Sequence, residues 1–367
     1  MTKTRVNEID LLRFFAALAV VFFHYAFCGY AKEGLTIMPY PLLSEVSKYG
    51  TLGVYLFFII SGFVILMTAA NGSLKDFAIS RIVRLYPAFW VCCTITFMVT
   101  LAIGEPWFSV SIPQYLVNMT MLNSLFSIKA VDSVYWTLFA ELKFYGLVAL
   151  VLLVRRINQA QIFLIFWLVA SIVLGIHPIW KLGGMLIIEY SSFFIAGATY
   201  YLIWSKGLSM TRVAIIATSW LMSVSQSLKE LREFKTDYHA SINNHVVIGI
   251  VTAFFIVMLL VSLRRTGVIG RTRWLLVGGI TYPLYLLHQN VGYMVFNVAY
   301  PAVNVHLLFW GAIASSMVFA YAIHIFVEKQ YSSSMKEALN NLANYIQRLI
   351  IRSDERTETH PEFKRYA

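Results

Sequence analysis

Residues 7–28 read NEIDLLRFFAALAVVFFHYAFC. From position 9 to position 28 this stretch has the length a helix needs to cross about 30 Å of hydrocarbon at 1.5 Å per residue. It nevertheless carries Asp10, Arg13 and His24. Those charges, and the lack of a small-residue cleavage site, make it a retained span rather than a removable signal peptide. Stretches of the same kind recur at 52–70, 85–104, 134–154, 160–176, 185–204, 213–228, 245–263, 274–296 and 306–327, ten in all. The sequence therefore predicts an all-α, polytopic integral membrane protein with no separate soluble domain.

Composition agrees. The chain of 367 residues is 59% hydrophobic and 13% charged, with a mean hydropathy of +0.69, outside the range of soluble domains. Ten spans put both termini on one side. With that side cytoplasmic, the inner segments hold twenty Lys and Arg, among them Lys75, Arg81, Arg84, Arg264 and Arg273, against seven outside, such as Lys48 and Lys129. This positive-inside asymmetry accounts for the net charge of +11 without a nucleic-acid partner. The same residues can also contact anionic membrane lipids or an anionic cytoplasmic ligand. Cys28, Cys92 and Cys93 show neither metal-ligand spacing nor a disulfide framework and read as packing residues, so no metal is expected.

The membrane part is expected to cover 1–330, followed at 331–367 by a cytoplasmic interfacial helix, apolar at helical spacing over 338–351, and a disordered polar tail from 352. In the outer loop 105–133 the apolar piece 112–125 is too short to span and reads as a re-entrant or interfacial helix. Asn118-Met119-Thr120 is a glycosylation sequon, a pattern short enough to arise by chance.

A charge at membrane depth costs about 2.5–3.5 kcal/mol on insertion scales, so each intramembrane ionisable group is a functional candidate. Arg13 and His24 are eleven residues apart, about 1100° of helical rotation, so they share one face with a rise of ~16 Å. Asp10 can pair with Arg13 across one turn, which makes that part of the arrangement structural. The span VYWTLFAELKFYG (134–146) carries Glu141, with Tyr145 one turn further on. Counted along their helices, Glu141 and His24 fall at similar depth, as does His288 in the ninth span, with Tyr282 and Tyr285 below it. A carboxylate beside an imidazole orients the ring for general-base work; a polar pair gluing two helices is the structural alternative. Ser61, in FFIISGF (57–63), reads as a small residue for close helix packing rather than a nucleophile. In LKDFAISRIVRLYP (74–87), Lys75, Arg81 and Arg84 share a helix surface suited to phosphates.

These pieces carry a resemblance. Asp10, Arg13 and His24, then FFIISGF, RIVRLYP (81–87), YWTLFAELKFY (135–145), YPLYLLHQ (282–289) and VEK (327–329), in that order, resemble the acyltransferase-3 family of membrane O-acyltransferases that modify bacterial surface glycans. The resemblance is to the membrane part alone, and the C-terminal esterase-like domain of many relatives is not expected here. The resemblance implies a multi-pass protein of the bacterial inner membrane that moves an acyl group, acetyl in the first instance, from cytoplasmic acetyl-CoA to a hydroxyl of an extracytoplasmic glycan or lipid-linked sugar such as lipopolysaccharide. Acetyl-CoA is then a co-substrate, with no bound cofactor. It makes His24 and Glu141 catalytic and Arg13, Arg81 and Arg84 donor-binding. Tyr285 and His288 become oxyanion or acceptor-site candidates. Direct transfer and an acyl-His24 relay both fit. The rival class is a transporter using the same His, Glu and Arg as a relay, against which stands the lack of internal repeats.

Overall fold

The computed structural model describes residues 5–32, 35–70, 72–238 and 240–358. Every element among them is helical, with no strand. The principal helices are α1 (Asn7–Phe23), α2 (Gly53–Ala70), α3 (Leu74–Ile103), α4 (Ile112–Asn118), α5 (Trp136–Leu153), α6 (Ala160–Ile176), α7 (Ser191–Lys206), α8 (Met210–Tyr238), α9 (Asn244–Ser262), α10 (Leu275–Ala299), α11 (Val305–Ile323) and α12 (Lys329–Glu358). Helices are what a bilayer demands, because they satisfy every backbone group within one segment.

Seven helical stretches among the described residues are long and apolar enough to cross a membrane: Asn7–Ala31, Pro41–Ala70, Leu74–Ile103, Ser133–Leu153, Ile157–Ile176, Asn244–Ser262 and Val305–Leu349. The other three expected spans coincide with α7, α8 and α10 and are helical without joining that group. α7 has 16 residues. α8 carries a serine face and a charged end, and α10 holds His288, Gln289, Asn290 and Asn297.

Those polar residues of α10 are all buried, which places the helix inside the bundle, packed against α1, α3 and α11. α2 is apolar all round and likewise buried, against α7 and α1. The α2–α7 approach depends on small residues. A Cβ at Gly197 would collide with the Ile59 carbonyl, and one at Gly62 with the Phe194 carbonyl. Apolar burial gives no preference for a neighbouring helix over lipid, so such close van der Waals packing is what holds the pair.

Two spans end in a π-turn rather than a regular last turn: α1 in His24–Cys28, and α11 in His324–Glu328. α3 starts at a capping box, Ser73 Oγ accepting from Asp76 N at 3.1 Å, and runs on through Pro87. α12 continues directly from the second π-turn and lies along the start of α3, with Lys75 Nζ donating to Asn344 Oδ1 at 2.6 Å. The expected interfacial segment 338–351 is thus the far part of one long helix, and Leu342, Tyr345 and Ile346 are exposed on it. The helix runs on to Glu358, into the stretch expected as a disordered tail from 352, and from residue 359 that tail lies outside the described residues.

The apolar piece 112–125 is interrupted: α4 is followed by a turn and a 3₁₀ helix at Asn123–Phe126, with Ile112, Leu116, Leu125 and Phe126 exposed. The sequon asparagine is wholly buried. Asn118 Nδ2 donates to the Gln114 and Lys129 carbonyls at 2.8 and 3.1 Å, and its Oδ1 accepts from Val131 N. Asn118 is a loop-building residue, and the three cysteines are buried free thiols.

Candidate active site

A cavity of about 180 Å³ lies among α1, α2, α3, α5 and α10. At one end it is lined by Arg13, Arg81, Arg84, Glu141 and Tyr145, and at the other by Val54, Phe57, Thr137, Leu138 and Tyr285. All three arginines expected to meet the donor face it. Lys75, the outlying member of the basic group, does not line it and is held by Asn344.

Each arginine is presented differently. Asp10 does not pair with Arg13: its carboxylate takes Arg5, with Nε at 2.9 Å and Nη2 at 2.5 Å. Arg13 is left with no hydrogen-bond or ion-pair partner among the described residues, within the fields of Arg84, Glu141 and Asp10. Arg81 donates from Nη2 to Ser80 Oγ at 2.8 Å, while its buried Nε has no partner. Arg84 Nη1 meets Glu328 Oε1 at 3.3 Å. Glu328 is buried in the second π-turn and takes His324 Nδ1 at 2.7 Å through its other oxygen. Gly279 leaves the space into which the His324 ring fits. Nothing in the sequence beyond the VEK motif pointed to Glu328, because the π-turn that turns it inward has no local signature.

Glu141 accepts from Ser61 Oγ at 2.5 Å. Ser61 therefore does more than allow close packing, and Glu141 belongs to the arginine end. The expected pairing of Glu141 with His24 is not formed. Depth counted along two helices fixes height within a turn or so but says nothing of the direction each side chain takes around its axis.

His24 meets His288 instead, Nδ1 to Nε2 at 2.9 Å, with ring centroids 5.0 Å apart. His288 is wholly buried, and its Nδ1 lies 3.1 Å from the Leu284 carbonyl and 2.9 Å from that of Tyr285. Both its ring nitrogens are thus engaged, leaving no N–H for an oxyanion or an acceptor. Tyr285 stands between the cavity and this pair, its ring 5.5 Å from Phe57 and 5.9 Å from His288. Its hydroxyl is 2.8 Å from Thr137 Oγ1 and 3.3 Å from the Val134 carbonyl.

Beside the histidines, the loop before α5 is tied to α10. Asp132 Oδ2 accepts from Asn290 N at 3.1 Å, Oδ1 from Val134 N at 3.2 Å, and Asn290 Nδ2 donates to the Val131 carbonyl at 3.0 Å. Asp132 is wholly buried, and burial pushes its carboxyl up to about 7. Sequence reasoning passed over it because it sits in a loop, outside every span.

No solved structure matches the chain. A protein of Acidianus two-tailed virus named "Putative acetyltransferase ORF330" is 29% identical over 166 residues, which cover 45% of this chain and 46% of that protein, so the match spans about half of each. Residues 6–325 match the acyltransferase-3 profile, described as an acyltransferase domain, and this range holds α1 to α10, α11, both histidines and all three cavity arginines. A match over most of its length makes this chain a member of the acyltransferase-3 family, whose domain is here a helical bundle with seven stretches long and apolar enough to cross a membrane.

Proposed function

We propose that the protein is a transmembrane O-acyltransferase that moves an acetyl group from cytoplasmic acetyl-CoA to a hydroxyl of an extracytoplasmic glycan or lipid-linked sugar. One observation carries this reading: an arginine-lined cavity leads from Arg13, Arg81 and Arg84 to Tyr285, one ring away from the His24–His288 pair. Residues 1–330 form the catalytic membrane part in the inner membrane, and the rest of α12 lies on the cytoplasmic side.

The donor's phosphates bind at the arginine end, where the unpaired Arg13 guanidinium and the Arg81 Nε offer donors. Glu141, fixed by Ser61, offsets part of the positive charge of the array, with Arg13 in its field. The pantetheine arm runs along the cavity. The ~16 Å rise from Arg13 to His24 is comparable to that arm, so transfer needs no covalent relay.

At the far end His24 takes the proton of the acceptor hydroxyl, and the alkoxide oxygen attacks the thioester carbonyl. The tetrahedral intermediate collapses with cleavage of the C–S bond, and CoA leaves as its thiol with the proton His24 held. The Tyr285 hydroxyl serves the oxyanion by exchanging its contact with the Val134 carbonyl.

The test uses the purified full chain in detergent. Acetyl-CoA binding is followed by calorimetry, and CoA release is measured with a panel of polysaccharide and lipid-linked sugar acceptors. Acceptor-stimulated release is the expected result. A folded protein that neither binds acetyl-CoA nor releases CoA with any acceptor would sink the donor assignment.

A further inference from the structure

The hydrogen-bond chain around the two histidines decides which nitrogen of His24 can act as a base. Two carbonyl oxygens, of Leu284 and Tyr285, face His288 Nδ1 at 3.1 and 2.9 Å. A carbonyl can only accept, so Nδ1 carries a proton. In a neutral imidazole the other nitrogen is then an acceptor, so His288 Nε2 receives a hydrogen bond. Its partner at 2.9 Å is His24 Nδ1, which must therefore be the protonated nitrogen of that ring.

The lone pair of His24 consequently sits on Nε2, the nitrogen further from the backbone, which has no hydrogen-bond partner among the described residues. The alternative, a doubly protonated His288 donating to His24, would bury a full charge at membrane depth. No carboxylate lies within ion-pair distance of either ring among the described residues.

We infer that His288 is the positioning residue of the reaction: through Nε2 it holds His24 in the Nδ1–H tautomer and leaves Nε2 free to take the acceptor's proton. This rests on the reading of His24 as the base, and it gives His288 the task that Glu141, turned towards Ser61, does not perform. The arrangement also serves the charged state. When His24 becomes an imidazolium, its Nδ1–H already points at a neutral nitrogen lone pair, so the charge is stabilised without a buried anion. α10 is shaped for this, since the two carbonyls that set the His288 tautomer come from its own preceding turn.

The test reads the tautomer directly. Full-length protein labelled with ¹⁵N-histidine is examined in detergent by long-range ¹H–¹⁵N correlation at neutral pH, with His24→Gln supplying the assignment. The expected result is a protonated Nδ1 and an unprotonated Nε2 for His24. This state should be kept in His288→Gln, whose side-chain carbonyl accepts near the same position, and lost to a tautomer mixture in His288→Leu. CoA release from acetyl-CoA, with water as acceptor, should fall about 10²-fold or more in kcat in His288→Leu with the KM for acetyl-CoA unchanged, and recover to within about tenfold of wild type in His288→Gln. A wild-type His24 protonated at Nε2 overturns the inference, and needs no variant to fold. So does a His24 tautomer indifferent to His288→Leu. A correct tautomer in a protein that does not release CoA leaves the positioning role standing and removes the donor assignment instead.

Discussion

The two ends of the site solve the problem of polar groups inside an apolar bundle in opposite ways. At the arginine end the charges are in excess and open to the cavity: three guanidiniums face one cavity carboxylate, and Arg13 has no partner among the described residues. At the histidine end the polar groups are chained to one another and to backbone carbonyls, with His24 on His288, His288 on α10, and Tyr285 on Thr137. An open, over-charged array is built to receive an anion that is not part of the protein. A closed chain with one nitrogen left over is built to hold a proton acceptor in a fixed orientation. Variants at the first end should therefore act on donor binding, and variants at the second on turnover.

The largest effect is expected at His24. His24→Ala should lower acceptor-stimulated CoA release about 10³-fold or more while acetyl-CoA binding by calorimetry stays within a few-fold of wild type. If donor affinity fell in step with turnover, the separation of the two ends would be wrong.

Arg13→Gln should give the opposite pattern. Removing a guanidinium without a hydrogen-bond partner breaks no ion pair, because Asp10 is held by Arg5 and Glu141 by Ser61, with Arg81 and Arg84 left in the same array. The fold should tolerate the change, and the KM for acetyl-CoA should rise about 10- to 100-fold with kcat little altered. Donor binding should also depend less steeply on salt than in wild type. A kcat loss at unchanged KM would move Arg13 from donor binding to the chemistry.

How these two residues divide was partly legible beforehand. Periodicity along the first span alone puts Arg13 and His24 on one face about 16 Å apart, because the chain is regular α-helix up to the π-turn that begins at His24. Their partners were not legible. Arg13 and Asp10 are a plausible i,i+3 pair, yet Arg5, before the helix begins, reaches the carboxylate first. Glu141 and His288 lie at similar depths in the sequence count, and only the way α5 and α10 turn about their axes decides that His288 meets His24 while Glu141 meets Ser61. The spans of highest apolarity, such as α2 and α9, could be read from composition. α10 was visible as a span, but its polar residues said only that it faces inward, not which of them touch.

A smaller effect is expected from Glu328→Gln. Glu328 holds Arg84 against the cavity and is itself held by His324, so the variant frees one guanidinium without removing it. Donor KM should rise about three- to tenfold, less than in Arg13→Gln, with kcat retained, since one ordering contact is lost while all three guanidinium charges stay. Combining it with Arg84→Gln separates the possibilities. If Glu328 acts through Arg84, the double variant should be no worse than Arg84→Gln alone; additive losses would show that Glu328 acts elsewhere.

The subtlest test addresses the boundary between the two ends. Phe57 and Tyr285 close the cavity on the histidine side, their rings 5.5 Å apart. Tyr285 is anchored by Thr137, whereas Phe57 offers only an apolar surface. The acyl group of a bound donor would rest against that surface, so Phe57→Ala should admit longer chains. One added methylene in an apolar pocket is worth about 0.8 kcal/mol, or roughly fourfold. The kcat/KM ratio of propionyl-CoA to acetyl-CoA should rise by about that factor, and that of butyryl-CoA by roughly its square, while acetyl-CoA binding holds. Unchanged ratios would mean that the acyl group passes beyond Phe57 before it is selected, and that chain length is measured at the histidines instead.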